Sequence, residues 1–222
     1  MDFPELDFPE FSFGDDEPQE ETVPAQVVKS HHRYGHRHIS RKLTSEAALA
    51  SSLDWHFREG DCYHCFSFGD VDSLTYVKHV LRQQRILYLA ISTWCMAGED
   101  VEDLRSWHDR GMLGRVDFFV GEIFPGSYGE VYAAAQSLAA DCGGRVAVFR
   151  NHAKVSVIVG ERFDCLIESS ANVNTNPRSE NTVLTVDRSL VRNYVDLFNG
   201  VISFDKTAVT APPYVIPEVR NP

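Results

Sequence analysis

The 222 residues include 21 Lys and Arg, 32 Asp and Glu, 43% apolar residues, 14 Gly and 10 Pro, proportions that exclude a wholly disordered or fibrous protein. The net charge of −11 is unevenly placed: nine acids (Asp2, Glu5, Asp7, Glu10, Asp15, Asp16, Glu17, Glu20, Glu21) precede the first base, Lys29, and beyond residue 28 the balance is 21 bases to 23 acids. The body therefore has no global basic excess, which neither supports nor excludes a polynucleotide partner. No apolar run reaches the roughly 18 residues of a membrane span and no secretory signal opens the chain, so the expectation is a cytoplasmic protein without membrane attachment. The five cysteines, Cys62, Cys65, Cys95, Cys142 and Cys165, are then expected as reduced thiols.

Residues 1–28 read as an acidic disordered tail with a repeated Asp-Phe-Pro-Glu element (2–5 and 7–10) and four prolines. Such a tail either docks a protein partner, mimics phosphate in a basic groove, or simply solubilises the chain. Residues 29–72 form a basic, His-rich N-terminal extension, with Lys29 to Lys42 running into a helical stretch at 44–53. From residue 73 the pattern alternates: helix 73–84, strand 86–92, helix 99–110, strand 116–120, helix 129–140, strands 146–149, 153–159, 165–168 and 182–186, and a closing helix 189–198. Apolar, β-branched strands between amphipathic helices predict an α/β domain over 73–204, with a mixed, mostly parallel sheet and helices on both faces. The proline-rich end, 205–222, reads as an extended C-terminal arm.

The chemistry concentrates in Asn151-His152-Ala153-Lys154, followed by Ser169-Ser170-Ala171-Asn172 and then Glu180. On a strand, His152 and Lys154 share a face, because side chains repeat every two residues. The hydroxyls of Ser169 and Ser170 and the amide of Asn172 can donate to phosphate oxygens, and Glu180 can hold the imidazole nitrogen that does not react. These are the parts of a phosphoryl-transfer site built on a histidine nucleophile.

The ordered pair His152-x-Lys154 and Ser169-Ser170-x-Asn172, with Glu180 after it, resembles the phospholipase D superfamily, and the likeness covers about 130 residues as a single repeat. The resemblance implies a metal-independent, cofactor-free phosphodiesterase working through a phosphohistidine, with His152, Lys154, Asn172 and Glu180 catalytic and Lys154, Ser169, Ser170 and Asn172 on the substrate phosphate. A single His-x-Lys motif per chain implies a homodimer that completes one site, and DNA or RNA as substrate. The alternative is a catalytically degenerate member that binds nucleic acid or serves as an adaptor. Two departures stand out: Val159 occupies the position of the family's aspartate, with Asp164 displaced to the next strand, and Ser169 replaces a glycine.

Other patterns read more plainly. Cys62-x-x-Cys65 with His64 lacks the second ligand pair of a structural zinc site and reads as structural thiols, and the His31, His32, His36 and His38 cluster as a solvated basic segment. Trp55, Trp94 and Trp107 read as core or interface aromatics. The stretch 121–129 lacks the Gly-Lys-Ser/Thr ending of a P-loop and reads as a rim loop with Glu122 or Tyr128 near substrate.

Overall fold

The computed structural model describes residues 30–33, 36–53, 56–69, 71–173 and 178–218, with backbone alone for 30–43. The acidic tail 1–28, with its expected disorder and partner docking, and Trp55 lie outside the described residues. In chain order the elements are β1 (Ser30–Arg33), β2 (His36–Leu43), α1 (Glu46–Ser52), β3 (Asp61–Phe68), α2 (Ser73–Leu81), β4 (Ile86–Thr93), α3 (Gly98–Asp109), β5 (Leu113–Gly121), α4 (Phe124–Ser127), α5 (Gly129–Asp141), β6 (Val146–Phe149), β7 (Val155–Gly160), β8 (Asp164–Ser169), β9 (Ser179–Val186) and α6 (Arg188–Asn199). They build one sheet in the order β1-β2-β3-β9-β8-β7-β4-β5-β6.

The sheet is mixed, but the expected parallel majority is corrected: antiparallel pairs predominate. Parallel pairing occurs only where a helix crosses over, as in β2-α1-β3, β4-α3-β5 and β5-α5-β6. The run β7-β8-β9 has no helix between its strands, and so short a connection can join strands only antiparallel. The stretch 29–72, expected as an extension, supplies three strands of this sheet, and β3 pairs with β9 along its length. Its alternation Cys62, His64, Phe66, Phe68 outward against Tyr63, Cys65, Ser67 inward is a period-two signal. That period puts Cys62 and Cys65 on opposite faces, so the Cys-x-x-Cys pair cannot converge on one ion.

Both faces of the sheet are covered by helices. On one side α1, α2, α3 and α5 bury Leu49, Val77, Leu104 and Leu138 against Ile91, Phe118, Val148, Ile158 and Ile167. On the other, α6 sets Val191, Val195 and Phe198 on Ala90, Phe119, Val157 and Leu166, and the C-terminal arm adds Tyr214 and Ile216. That arm is held electrostatically. Asp117, wholly buried, takes a bidentate bond from Arg115 (2.8 and 2.9 Å) and one from Tyr88 Oη (3.0 Å), and Tyr214 stacks on Tyr88 at 3.9 Å. The β7-β8 turn is plugged by Gln84, whose amide meets Arg162 N, Phe163 N and Phe163 O at 2.8 to 3.0 Å. A Cβ on Gly160 would lie 2.0 Å from that amide, so the close approach requires glycine. No helix among the described residues is long and apolar enough to cross a membrane.

The first turn of α3 carries a titrating group. Asp100 accepts the Ala97 N–H at 2.7 Å; burial, with the charges of Asp72, Asp103 and Glu99, pushes its carboxyl up to about 6 against the pull of that bond. The folded state thus holds this proton more tightly than the unfolded chain, so its stability contribution is complete below the ordinary carboxylate range and lost as pH rises through about 6. Asp100→Asn keeps the acceptor and removes the titration. Thermal melts across the acid range should show that step in the parent and not in the variant, with the variant the more stable above it.

Candidate functional site

The site lies where β4 and β8 end and β7 and β9 begin, an edge at which polar side chains close apolar strands. His152 and Lys154 were expected on a strand over 153–159, but β7 starts at Val155, leaving both in the segment that leads into it. What fixes that segment is Asn151, 5% exposed. Its Nδ2 donates to Ser92 Oγ (2.9 Å) and Phe119 O (2.9 Å), and its Oδ1 accepts Ala153 N–H (3.0 Å). Ser92 Oγ also donates to Ala153 O at 3.2 Å. Two buried strands, β4 and β5, therefore hold the backbone on either side of His152, while the imidazole itself is exposed.

Lys154 turns its ammonium onto this histidine: Nζ is 3.1 Å from His152 Nδ1, 3.4 Å from Nε2, and donates to His152 O at 2.8 Å. Burial draws the Lys154 ammonium below the ordinary lysine range, opposed by the nearby Cys95 and Glu180. Trp94 meets the imidazole edge to face, with centroids 4.8 Å apart. Cys95 is half-buried, and burial raises its thiol while Lys154 and a bond from Tyr128 lower it. Tyr128 of the 121–129 stretch thus stands beside Cys95 at this edge.

The second motif arrives from β8. Ser170 N–H donates to Asn181 O at 2.9 Å and Asn181 N–H donates to Ser170 Oγ at 3.0 Å, tying the turn after β8 to β9. Ser170 Oγ in turn donates to the Glu180 carboxylate. Glu180 therefore faces Ser170 and, through space, Lys154, whereas its expected place was on the His152 ring, which is occupied by Trp94 and Lys154. Ser169 is committed to the hairpin: its hydroxyl is 2.7 Å from Thr182 Oγ1 and accepts Ala171 N–H at 3.0 Å. Asn172 is half-buried and its Oδ1 accepts from Thr93 Oγ1 at 3.5 Å. His152, Lys154, Ser170 and Glu180 thus form one connected group, Asn172 borders it, and Ser169 supports it from within the sheet.

Four consecutive residues at the end of β4, absent from the sequence reading as site residues, organise all of this. Ser92 holds the His152 segment through Asn151, Thr93 holds Asn172 and Val173 N–H (3.4 Å), Trp94 backs the imidazole, and Cys95 adjoins Lys154. A Ser-Thr-Trp-Cys ending to an apolar strand was a legible signal, since polar groups at strand ends of α/β sheets mark binding edges. Asp164, displaced from the family position, is the cross-strand register partner of Val159. Wholly buried, it accepts Gly160 N–H at 3.1 Å and pairs with Arg188 of α6 at 3.6 Å. Among the described residues no group of three or more His, Cys, Asp or Glu is arranged to hold a metal ion.

No protein-family model matches the chain, and no curated protein matches it. Among solved structures it is similar to the crystal structure of polyphosphate kinase from Porphyromonas gingivalis, with 16% identity over 63% of this chain and 26% of that one at a TM-score of 0.48. It is also similar to phosphatidylserine synthase from Haemophilus influenzae Rd KW20, with 13% identity over 63% of this chain and 39% of that one, again at 0.48. The chain spans about a quarter and two fifths of their lengths.

Asn151→Ala strands two buried acceptors and one donor, so urea unfolding should show a loss of about 1–3 kcal/mol. The His152 ring resonances should shift in the same variant, while Ser92→Ala, which spares Asn151's bonds to Phe119 O and Ala153 N–H and loses only those of the Ser92 hydroxyl, should cost less.

Proposed function

We propose that the chain is a metal-independent phosphodiesterase acting on nucleic acid through a phosphohistidine on His152, in a site completed by a second copy. The observation that carries this reading is an exposed imidazole on a backbone fixed from both sides, with an ammonium 3.1 Å from its ring and a Ser170–Glu180 pair beside it. A ring nitrogen of His152 attacks phosphorus, the phosphorus–oxygen bond to the leaving group breaks, and the leaving oxygen takes a proton from the partner subunit's His152. Water then attacks the phosphohistidine, gives its proton back to that imidazole, and frees His152. Lys154, Ser170 and Asn172 neutralise the non-bridging oxygens, a contribution that grows as charge develops on them. Glu180 orients Ser170 and balances the Lys154 charge. The bases Arg33, Arg37, Arg41 and Lys42, carried by β1 and β2, support a polyanionic substrate.

Hydrolysis of bis(p-nitrophenyl) phosphate and of single-stranded DNA in excess EDTA, with the mass in solution measured on the same samples, tests this reading. Turnover by a dimer, reduced about 10³-fold or more in a folded His152→Asn variant, is the expected result. A folded protein that binds nucleic acid without turning over any diester would make it a binding protein instead. The pH profile supplies a second check. Because burial lowers the Lys154 pKa, its cation is lost earlier than an exposed lysine's as pH rises, and the alkaline limb should fall correspondingly early. Lys154→Arg, which stays protonated, should move that limb upward while lowering kcat.

A further inference from the structure

Beyond the site, the α6 side of the sheet divides into two parts. Over β7 and β8 it is covered by α6, whose Tyr194 Oη donates to Glu168 at 2.7 Å and marks the border. The next strands, β9 and β3, present Ser179, Asn181, His64, Phe66 and Phe68 to solvent. Phe66 and Phe68 are 45% and 43% exposed, though a strand inside a sheet has both faces available for cover. Their rings stand edge to face, with centroids 5.2 Å apart. Two phenylalanines held open side by side are costly to hydration and idle in packing.

We propose that Phe66 and Phe68 form a stacking platform for the bases of a single-stranded polynucleotide whose backbone runs on to the His152 site. This rests on the phosphodiesterase reading and deepens it by stating which form of nucleic acid is bound and where. Two features select that occupant. The first is continuity: Phe66 is the register partner of Asn181, and Asn181 is the residue bonded on both its N–H and its carbonyl to Ser170. The backbones of Phe66 and Ser170 are thus about 10 Å apart, two strand spacings, across a single backbone-bonded row. The second is charge. The strand on the far side of β3 is β2, paired in parallel with Lys42 opposite Phe66, and no acid occurs from Lys29 to Ser45. Aromatic rings beside a basic strand suit a chain with a π-face on every base and a charge on every phosphate. An apolar partner would gain nothing from that basic strand, and a duplex keeps its base faces inside the stack.

The test is fluorescence anisotropy in the His152→Asn background, so that no substrate is consumed, using a labelled oligothymidylate of about twenty nucleotides, an abasic strand of equal length and the matching duplex. Phe66→Ala/Phe68→Ala should weaken oligothymidylate binding about tenfold or more and leave abasic-strand binding within about twofold. Phe66→Leu/Phe68→Leu, which keeps apolar bulk without a ring, should also weaken it. Unchanged oligothymidylate affinity in a folded double variant overturns the platform, as does equal weakening for the abasic strand. A dimeric parent that becomes monomeric in the double variant also overturns it, by showing that the rings meet a second copy. Binding is read without turnover, so failure of the phosphodiesterase reading would appear separately, as absent hydrolysis of bis(p-nitrophenyl) phosphate by the parent.

Discussion

The site depends on a buried amide. Asn151 satisfies all its hydrogen-bonding capacity but one acceptor position against β4, β5 and its own segment, and a nearly fully paired polar group in a dry environment is rigid because every alternative leaves something unpaired. The rigidity is transmitted over one residue: Ala153 is fixed by both its N–H and its carbonyl, so His152, between two anchored neighbours, has a set backbone with a side chain in water. An exposed imidazole on an immobile backbone combines access with placement.

The same logic explains the antiparallel centre. A parallel crossover would need a helix between Lys154 and Ser169, and would separate the two motifs. The β7-β8 hairpin instead places Ser169 N–H on Lys154 O at 2.9 Å, so the motifs are adjacent because they lie on neighbouring strands joined by a tight turn. That turn is stabilised from both faces of the sheet, by Gln84 from the turn after α2 and by Asp164 with Arg188 from α6. Because Asp164 is opposite Val159 on the same face, an aspartate moved from one strand to its partner still reaches the start of α6. The local consequence of Val159 is therefore a changed route for one carboxylate, and the His152 segment is untouched by it.

Much of this was legible in the sequence. The helices and strands from residue 73 onward follow amphipathic and apolar periods, and their ends differ from the expectation by a few residues, as with α2 ending at Leu81 and β7 starting at Val155. The motif pair named His152, Lys154, Ser170 and Glu180, which the structure places side by side. What escaped was set by long-range pairing. Strand β3 was hidden because its Cys and His residues suggested metal chemistry before their alternation was read as a strand, and the sheet's antiparallel bias depends on which strands meet, which periodicity does not encode. Ser92 ends the strand expected over 86–92 and Thr93 falls just beyond it; their partners lie 59 and 79 residues away, a separation at which no local pattern speaks. Glu180 meets Ser170 rather than the histidine ring, a pairing set by the turn after β8 that no local pattern encodes.

Under the phosphodiesterase reading proposed above, the geometry also says what must move when a phosphate enters. Lys154 Nζ spends its bonds on His152, and Ser170 Oγ spends its proton on Glu180, so the two strongest donors for a diester are satisfied internally. Each exchange is nearly neutral in number, one acceptor for another, but not in charge: a phosphate offers the ammonium an anion in place of a carbonyl and a ring nitrogen, and charge-assisted bonds are the stronger ones. The backbone anchors at Ala153 and Asn181 need not shift for this, because only the outer torsions of Lys154 and Ser170 rotate. Binding then draws on side-chain rearrangement alone, and the energy that would otherwise order the loop remains available to the reacting centre.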